Sequence, residues 1–381
     1  MATASPSQAH RASLLQVCAG EAREGLARLN PAYFSLVMAT GILGTACHLL
    51  GIPALPKLLL WINLPAYGLL WLLTLLRLAL QPSAFGADWA DHGRGPGFFT
   101  TVAATSVVGV QLLAAHRFEA AVPALWWLAL ALWAGCVYGV FAALTVKDGK
   151  PGLAEGINGG WLSAVVATQS VAVLGTLAGP RLGVDPELLD LLLTSFWLMG
   201  GMLYIWMISL IFYRYTFFRF QPTDLLPPYW INMGAMAIST LAGALLVRRA
   251  EGSALLAGLL PFLKGFTLLF WATATWWIPM LAVLGVWRYF LRRIPLLYDP
   301  LYWGAVFPMA MYTVATWRLA EAFRLPALVA VPRAFVALAL TTWLLTFLGL
   351  VLSLLRGLLR LLRRRAQRPS GAGLHPAPSH S

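Results

Sequence analysis

The sequence predicts an all-α polytopic membrane protein, with ten transmembrane helices paired as five helical hairpins around a central pore. Three observations carry this expectation. Hydrophobic residues make up 60% of the chain, charged residues only 11%, and mean hydropathy is +0.75, whereas soluble domains carry about 25% charged residues. Ten apolar runs are long enough to cross a hydrocarbon core, which takes about 20 helical residues. The odd-numbered runs resemble one another in a way that the even-numbered runs do not.

Residues 1–30 mix both charges (Arg11, Glu21, Arg23, Glu24, Arg28) and hold no apolar signal-peptide core. They read as a cytoplasmic segment rather than a cleaved leader. Residues 31–356 form one transmembrane domain, because the ten runs (31–50, 57–80, 98–114, 123–146, 160–179, 187–213, 229–247, 256–287, 302–320 and 334–356) are joined by short connections. Residues 357–381 are first basic, as suits a helix end among anionic headgroups, and then rich in Pro, Ser and Gly, a composition expected to be disordered.

Each odd run opens on an aromatic, passes through small apolar residues and reaches a cluster of small or hydroxylated ones. Run 1 reads YFSLVMATGILGTA from Tyr33, run 3 FFTTVAATSVVG from Phe98, and run 5 GWLSAVVATQSVAVLG from Gly160. Run 7 is YWINMGAMAISTLAG from Tyr229 and run 9 is YWGAVFPMAMYTVAT from Tyr302. The even runs are dominated by Leu and Trp, which suit lipid and its interfaces. Small residues allow close helix approach and hydroxyls can point inward, so the odd helices are expected to form an inner layer. Its candidate pore-lining residues are Thr40, Gly41, Thr105, Ser106, Thr168, Gln169, Asn232, Ser239, Thr240 and Tyr312. The same residues would equally serve helix-to-helix packing, and the amides Gln169 and Asn232 could donate either to an anion or to a neighbouring helix.

Run 9 places Phe307 beside Pro308 in an otherwise apolar span. Proline removes an N–H and crowds the carbonyl one turn back, so a helix through it is expected to bend or break. Irregular backbone at membrane depth is tolerated where it is buried or lines a cavity. The pair Phe307 and Pro308 is therefore the candidate pore gate, the alternative being an ordinary lipid- or helix-facing Phe beside a tolerated proline kink.

The fourteen acidic residues fall in loops, tails or first turns of the predicted spans, leaving mid-membrane free of carboxylates. Proton relays and cation pathways usually show intramembrane acids, so small anions are the expected cargo. Lys264 reads as a lysine snorkelling to the interface from run 8, the other reading being an anion-attracting charge near the outer mouth. Loop acids Glu155 and Asp224 fit helix caps or contacts at the cytoplasmic mouth. Cys18, Cys47 and Cys136 lie far apart, with no metal-ligand spacing and no disulfide framework. No catalytic motif, nucleotide-binding loop, cofactor site or metal site is visible, so an enzyme is not expected.

The net charge of +13 follows membrane topology rather than nucleic-acid binding. With ten spans both termini share a side, and that side carries 18 of the 27 Lys and Arg residues. The positive-inside rule then places both termini in the cytoplasm.

The segments PAYFSLVMATGI, GGWLSAVVATQSVAVLG, PPYWINMGAMAIST and YWGAVFPMAMYTVAT resemble the tellurite-resistance/C4-dicarboxylate transporter family, over about residues 30 to 355. That family includes plant slow-type anion channels and fungal malate and sulfite exporters. The resemblance implies ten helices in five hairpins around a pore, a homotrimer, and occlusion by a phenylalanine matching Phe307. The expected function is passive or potential-driven movement of small anions, C4-dicarboxylates such as malate or inorganic anions, across a plasma membrane, here a bacterial inner membrane. A proton-coupled transporter or exporter of dicarboxylate or sulfite is the alternative, and a polytopic membrane enzyme is the reading from a further class.

Overall fold

A computed structural model describes residue 20 and residues 23–366, with side chains as far as Arg360. Cys18, Arg11, Glu21 and the Pro/Ser/Gly-rich end of the chain lie outside the described residues. The described chain is helical throughout, without a strand. Ten long helices follow one another: α1 Ser35–Leu49, α2 Leu55–Leu80, α3 Phe99–Ala114, α4 Val122–Val146, α5 Ser163–Ala178, α6 Pro186–Phe217, α7 Ile231–Arg249, α8 Leu260–Val286, α9 Trp303–Phe323 and α10 Ala330–Ala366. By length and composition nine of the described helices could cross a membrane. The remaining long helix is α9, 21 residues in length, whose apolar character is diluted by Tyr312, Thr313, Thr316, Arg318 and Glu321.

The five odd helices pack in a closed ring, α1 on α3, α3 on α5, α5 on α7, α7 on α9 and α9 back on α1. Each even helix packs on its hairpin partner and also touches the next odd helix, so it sits in the groove between two inner helices. Burial follows this division. In the most apolar 18-residue stretch of the spans built on α1, α3, α5 and α7, 72% to 94% of residues are buried, against 17% to 44% in those of the five outer spans. In α9, 15 of 21 residues are buried. Side-chain size explains the order: Gly, Ala, Ser and Thr let five backbones approach, while Leu and Trp cover the outside.

Glycine marks the closest approaches. A Cβ at Gly41 would meet Val107 at 2.6 Å, and one at Gly234 would meet the Pro308 ring at 2.7 Å. Pro308 thus leans on α7, and α9 is continuous through it rather than broken. The reason is position. Pro308 is the sixth residue of the helix, so the carbonyl it leaves without a partner is that of Gly304, in the first turn. Pro65 and Pro279 are likewise accommodated inside α2 and α8.

Three boundaries differ from expectation. The predicted run 256–287 is interrupted at Leu259, with a short helix Ala254–Gly258 ahead of α8. Helix α6 extends to Phe217. Helix α10 continues well past 356, so the first basic residues of the tail prolong the helix.

Candidate functional site

Each inner helix is entered through a 3-10 turn: Pro31–Phe34, Gly95–Phe98, Gly159–Leu162, Pro227–Trp230 and Pro300–Tyr302. Proline or glycine opens every one, and the side chains of Asn30, Asn158 and Asp299 accept from the backbone N–H of Ala32, Gly160 and Leu301. These are the residue types that start helices. The five turns touch in the same cyclic order as the helices, forming a collar. Its fit is tight at Gly97, where a Cβ would lie 2.9 Å from the Ala32 nitrogen, and at Gly159, where it would lie 2.5 Å from the Pro228 carbonyl oxygen. Five helix N-termini therefore face one end of the ring, and helix N-termini favour negative charge.

The collar is fastened from outside. Arg77, 2% exposed, donates to the carbonyls of Leu29 at 2.9 Å and Ala27 at 3.0 Å and pairs with Asp88 at 2.6 Å. Arg94 pairs with the other Asp88 oxygen at 2.8 Å and donates to Leu29 at 3.0 Å. Arg214 donates to the Tyr229 hydroxyl and to the Ala154 carbonyl, and Asp224 caps its own turn by accepting from Gln221 N–H. His92 gives its carbonyl to Trp161 Nε1 at 3.0 Å. Burial first, then Lys147 and Lys150, hold the His92 pKa below the ordinary histidine value against the pull of Asp91.

At mid-depth a second five-fold pattern appears, and it locates most of the predicted pore-lining residues. An aromatic from each outer helix bonds to the next inner helix. Tyr67 of α2 bonds to the Thr105 hydroxyl at 2.9 Å, Trp133 of α4 to Thr168 at 2.8 Å and Trp197 of α6 to the Ser239 carbonyl at 2.9 Å. Trp271 of α8 bonds to Thr316 at 3.1 Å, and Trp343 of α10 to Thr40 at 3.0 Å. Tyr312 shares a bond with Thr275 of α8, Gln169 donates to the Trp197 carbonyl of α6, and Asn232 donates to Tyr215 of α6. Gly41 faces Val107 and Asn63. The Ser239 and Thr240 hydroxyls return to carbonyls of α7 itself. Ser106 Oγ is buried without a hydrogen-bond partner, as are Gln169 Oε1 and Asn232 Oδ1. The hydroxyls of Thr40, Thr105, Thr168 and Tyr312 thus serve as acceptors or donors for the outer layer, because an indole or phenol N–H or O–H inside a membrane needs a partner. The aromatics themselves were not among the residues singled out from sequence. A Trp or Tyr recurring inside the even runs was the available signal.

Phe307 is 1% exposed and lies in the protein core. Around α9 it stands about 180° from Thr316 and about 140° from Tyr312, at about 100° per residue. Since both of those bond to outer helix α8, Phe307 is turned away from α8, while Trp303, one turn before it, packs on Trp343 of outer helix α10.

At the opposite end, Arg248 and Arg318 each pair with Glu321, at 3.0 Å and 2.8 Å, and Arg249 pairs with Asp190. Two carboxylates prove more enclosed than the sequence census implies: Asp190 is 2% exposed and Asp88 8%. Both lie near helix ends and both are matched by arginine. Lys264 is exposed on the outer layer. Cys47 and Cys136 are free and buried, and among the described residues no cluster of His, Cys, Asp or Glu could hold a metal.

A closed ring of small-residue helices inside a shell of apolar ones defines a multi-pass membrane protein of the channel and transporter class. Residues 28–351 match the family model described as SLAC1, voltage-dependent anion channel. The chain belongs to that family, which is the tellurite-resistance/dicarboxylate transporter family. An uncharacterized membrane protein of Mycobacterium tuberculosis is 36% identical over 151 residues, covering 39% of this chain and 75% of its own. Two uncharacterized transporters of Methanocaldococcus jannaschii are 27% and 26% identical over 161 and 169 residues, 42% and 44% of this chain and 45% and 47% of theirs.

Proposed function

We propose that this protein is a channel or passive transporter that moves small anions between the five inner helices, all ten long helices crossing the membrane, with Phe307 occluding the path and Pro308 setting its position against Gly234. The observation that carries the reading is the closed inner ring whose five N-termini converge at one collar. Their dipoles attract anions there, and the arginines at the far end of the ring offset the opposite dipole ends. The carboxylates near the ring sit at helix ends in arginine pairs, consistent with anion rather than cation passage. By the positive-inside rule the collar end, with both termini, faces the cytoplasm of a bacterial inner membrane. C4-dicarboxylates such as malate, and inorganic anions such as chloride, nitrate and sulfite, are the cargo to test. The family resemblance supports a homotrimer with one path per protomer.

The test is anion current through the full chain in liposomes, comparing the parent with Phe307→Ala and with Leu269→Ala, which changes a lipid-facing side chain 53% exposed. Phe307→Ala is expected to raise conductance at least severalfold and Leu269→Ala to leave it alone. Equal currents from parent and Phe307→Ala, at equal protein incorporation, would remove the gate. Reversal potentials in chloride, nitrate, sulfite and malate give sign and preference. Electroneutral flux driven by a pH gradient would assign coupled transport instead.

A further inference from the structure

Helix α10 outlasts the bundle. Its partner α9 begins at Trp303, and α10 passes that level where Trp343 meets Trp303 edge to face at 6.3 Å. At Gly349 it crosses the Tyr298 ring, which a Cβ would meet at 2.6 Å. Tyr298 lies just before the last collar turn, so Gly349 marks the collar end of the bundle. The helix nevertheless continues to Ala366, an overhang of about 22 Å for residues 352–366 at about 1.5 Å each.

The overhang is sorted by face. Leu354, Leu355, Leu358 and Leu359 are 50% to 65% exposed, and with Leu361 and Leu362 of the sequence they fall within an arc of about 160° at about 100° per residue. Arg356, Arg360, Arg363 and Arg364 fall within a separate arc of about 100°. No acidic residue follows Glu321 in the chain, so these arginines have no carboxylate of their own segment to meet. A leucine face beside an arginine face, continuous with a membrane-embedded helix, matches the boundary between acyl chains and negatively charged headgroups. Gly357, with open space around it, supplies a weak point in the helix at which the overhang can turn.

We propose that residues 352–366 are a binding element for anionic phospholipid, lying in the headgroup layer at the collar end with the leucines toward the acyl chains and the arginines on lipid phosphates. The occupant is a membrane surface rather than a second copy, because the arginine stripe repels its own kind while attracting anionic lipid.

The experiment places a nitroxide at Leu358→Cys in the full chain carrying Cys18→Ser, the buried Cys47 and Cys136 being retained. The protein is reconstituted in nanodiscs of phosphatidylcholine alone or with one third phosphatidylglycerol. In the mixed discs the label is expected to gain oxygen accessibility and lose nickel-chelate accessibility severalfold relative to phosphatidylcholine alone. Replacing Arg356, Arg360, Arg363 and Arg364 with Gln is expected to abolish that difference, and replacing them with Lys to retain it. Identical accessibility in the two lipids would overturn the proposal, as would label-to-label coupling between copies in both. A lipid-dependent change that survives the four-Gln variant would also overturn it.

Discussion

At the scale of single residues, the arginine pairs and the buried hydroxyls separate roles that the sequence alone leaves merged. Arg249 and Arg248 are neighbours in sequence, yet Arg249 faces the enclosed Asp190 while Arg248 meets Glu321 with 51% of its side chain exposed. Removing one partner of a buried pair leaves an uncompensated charge, at a cost of about 3 to 5 kcal/mol, whereas an exposed pair contributes about 0 to 1 kcal/mol. Arg249→Met is therefore expected to lower the thermal transition of the detergent-solubilised protein by much more than Arg248→Met. Equal shifts would contradict the burial of Asp190. His92 gives a pH dependence with a definite sign. Its folded pKa is below the ordinary value, so the neutral imidazole is favoured in the folded state. The stability it contributes is full above about pH 6.5 and is lost as pH falls from there through the folded pKa. His92→Gln is expected to flatten that part of the stability profile, measured between pH 7.5 and 5.

At the scale of elements, the collar sets how the five inner helices meet. Gly159→Ala would drive a methyl group into the Pro228 carbonyl, which is backbone and cannot swing aside. Loss of monodisperse protein on size-exclusion chromatography is expected for it. Gly285→Ala on outer helix α8, with nothing within 4 Å, is expected to leave the elution profile unchanged. The sequence indicated where the inner helices begin to within four residues, because each odd run opens on an aromatic near the start of its helix. It did not indicate that the Pro308 ring would pack on Gly234, since that depends on the rotation of another helix.

For the whole molecule, the bond from Trp343 to Thr40 links the last helix to the first across 303 residues and completes the five-fold belt. Trp343→Phe keeps the bulk and removes the donor, so it is expected to cost about 1 kcal/mol, seen as a thermal shift of a few degrees with unchanged anion selectivity. A change in selectivity would place Thr40 on the conduction path rather than in the belt. Closure also accounts for the burial of α9, which α1 and α7 flank on both sides.

Composition and periodicity by themselves determined the solvent, the all-α class, and the alternation of small inner and bulky outer helices, because each is written in local residue types that lipid and backbone hydrogen bonding constrain directly. Only the tertiary structure decided which hydroxyls are engaged by outer aromatics, which carboxylates are enclosed with arginine, and that α10 runs on past the bundle. Those outcomes depend on the relative rotation and height of helices distant in sequence, and a one-dimensional pattern of small, polar and apolar residues carries no record of either.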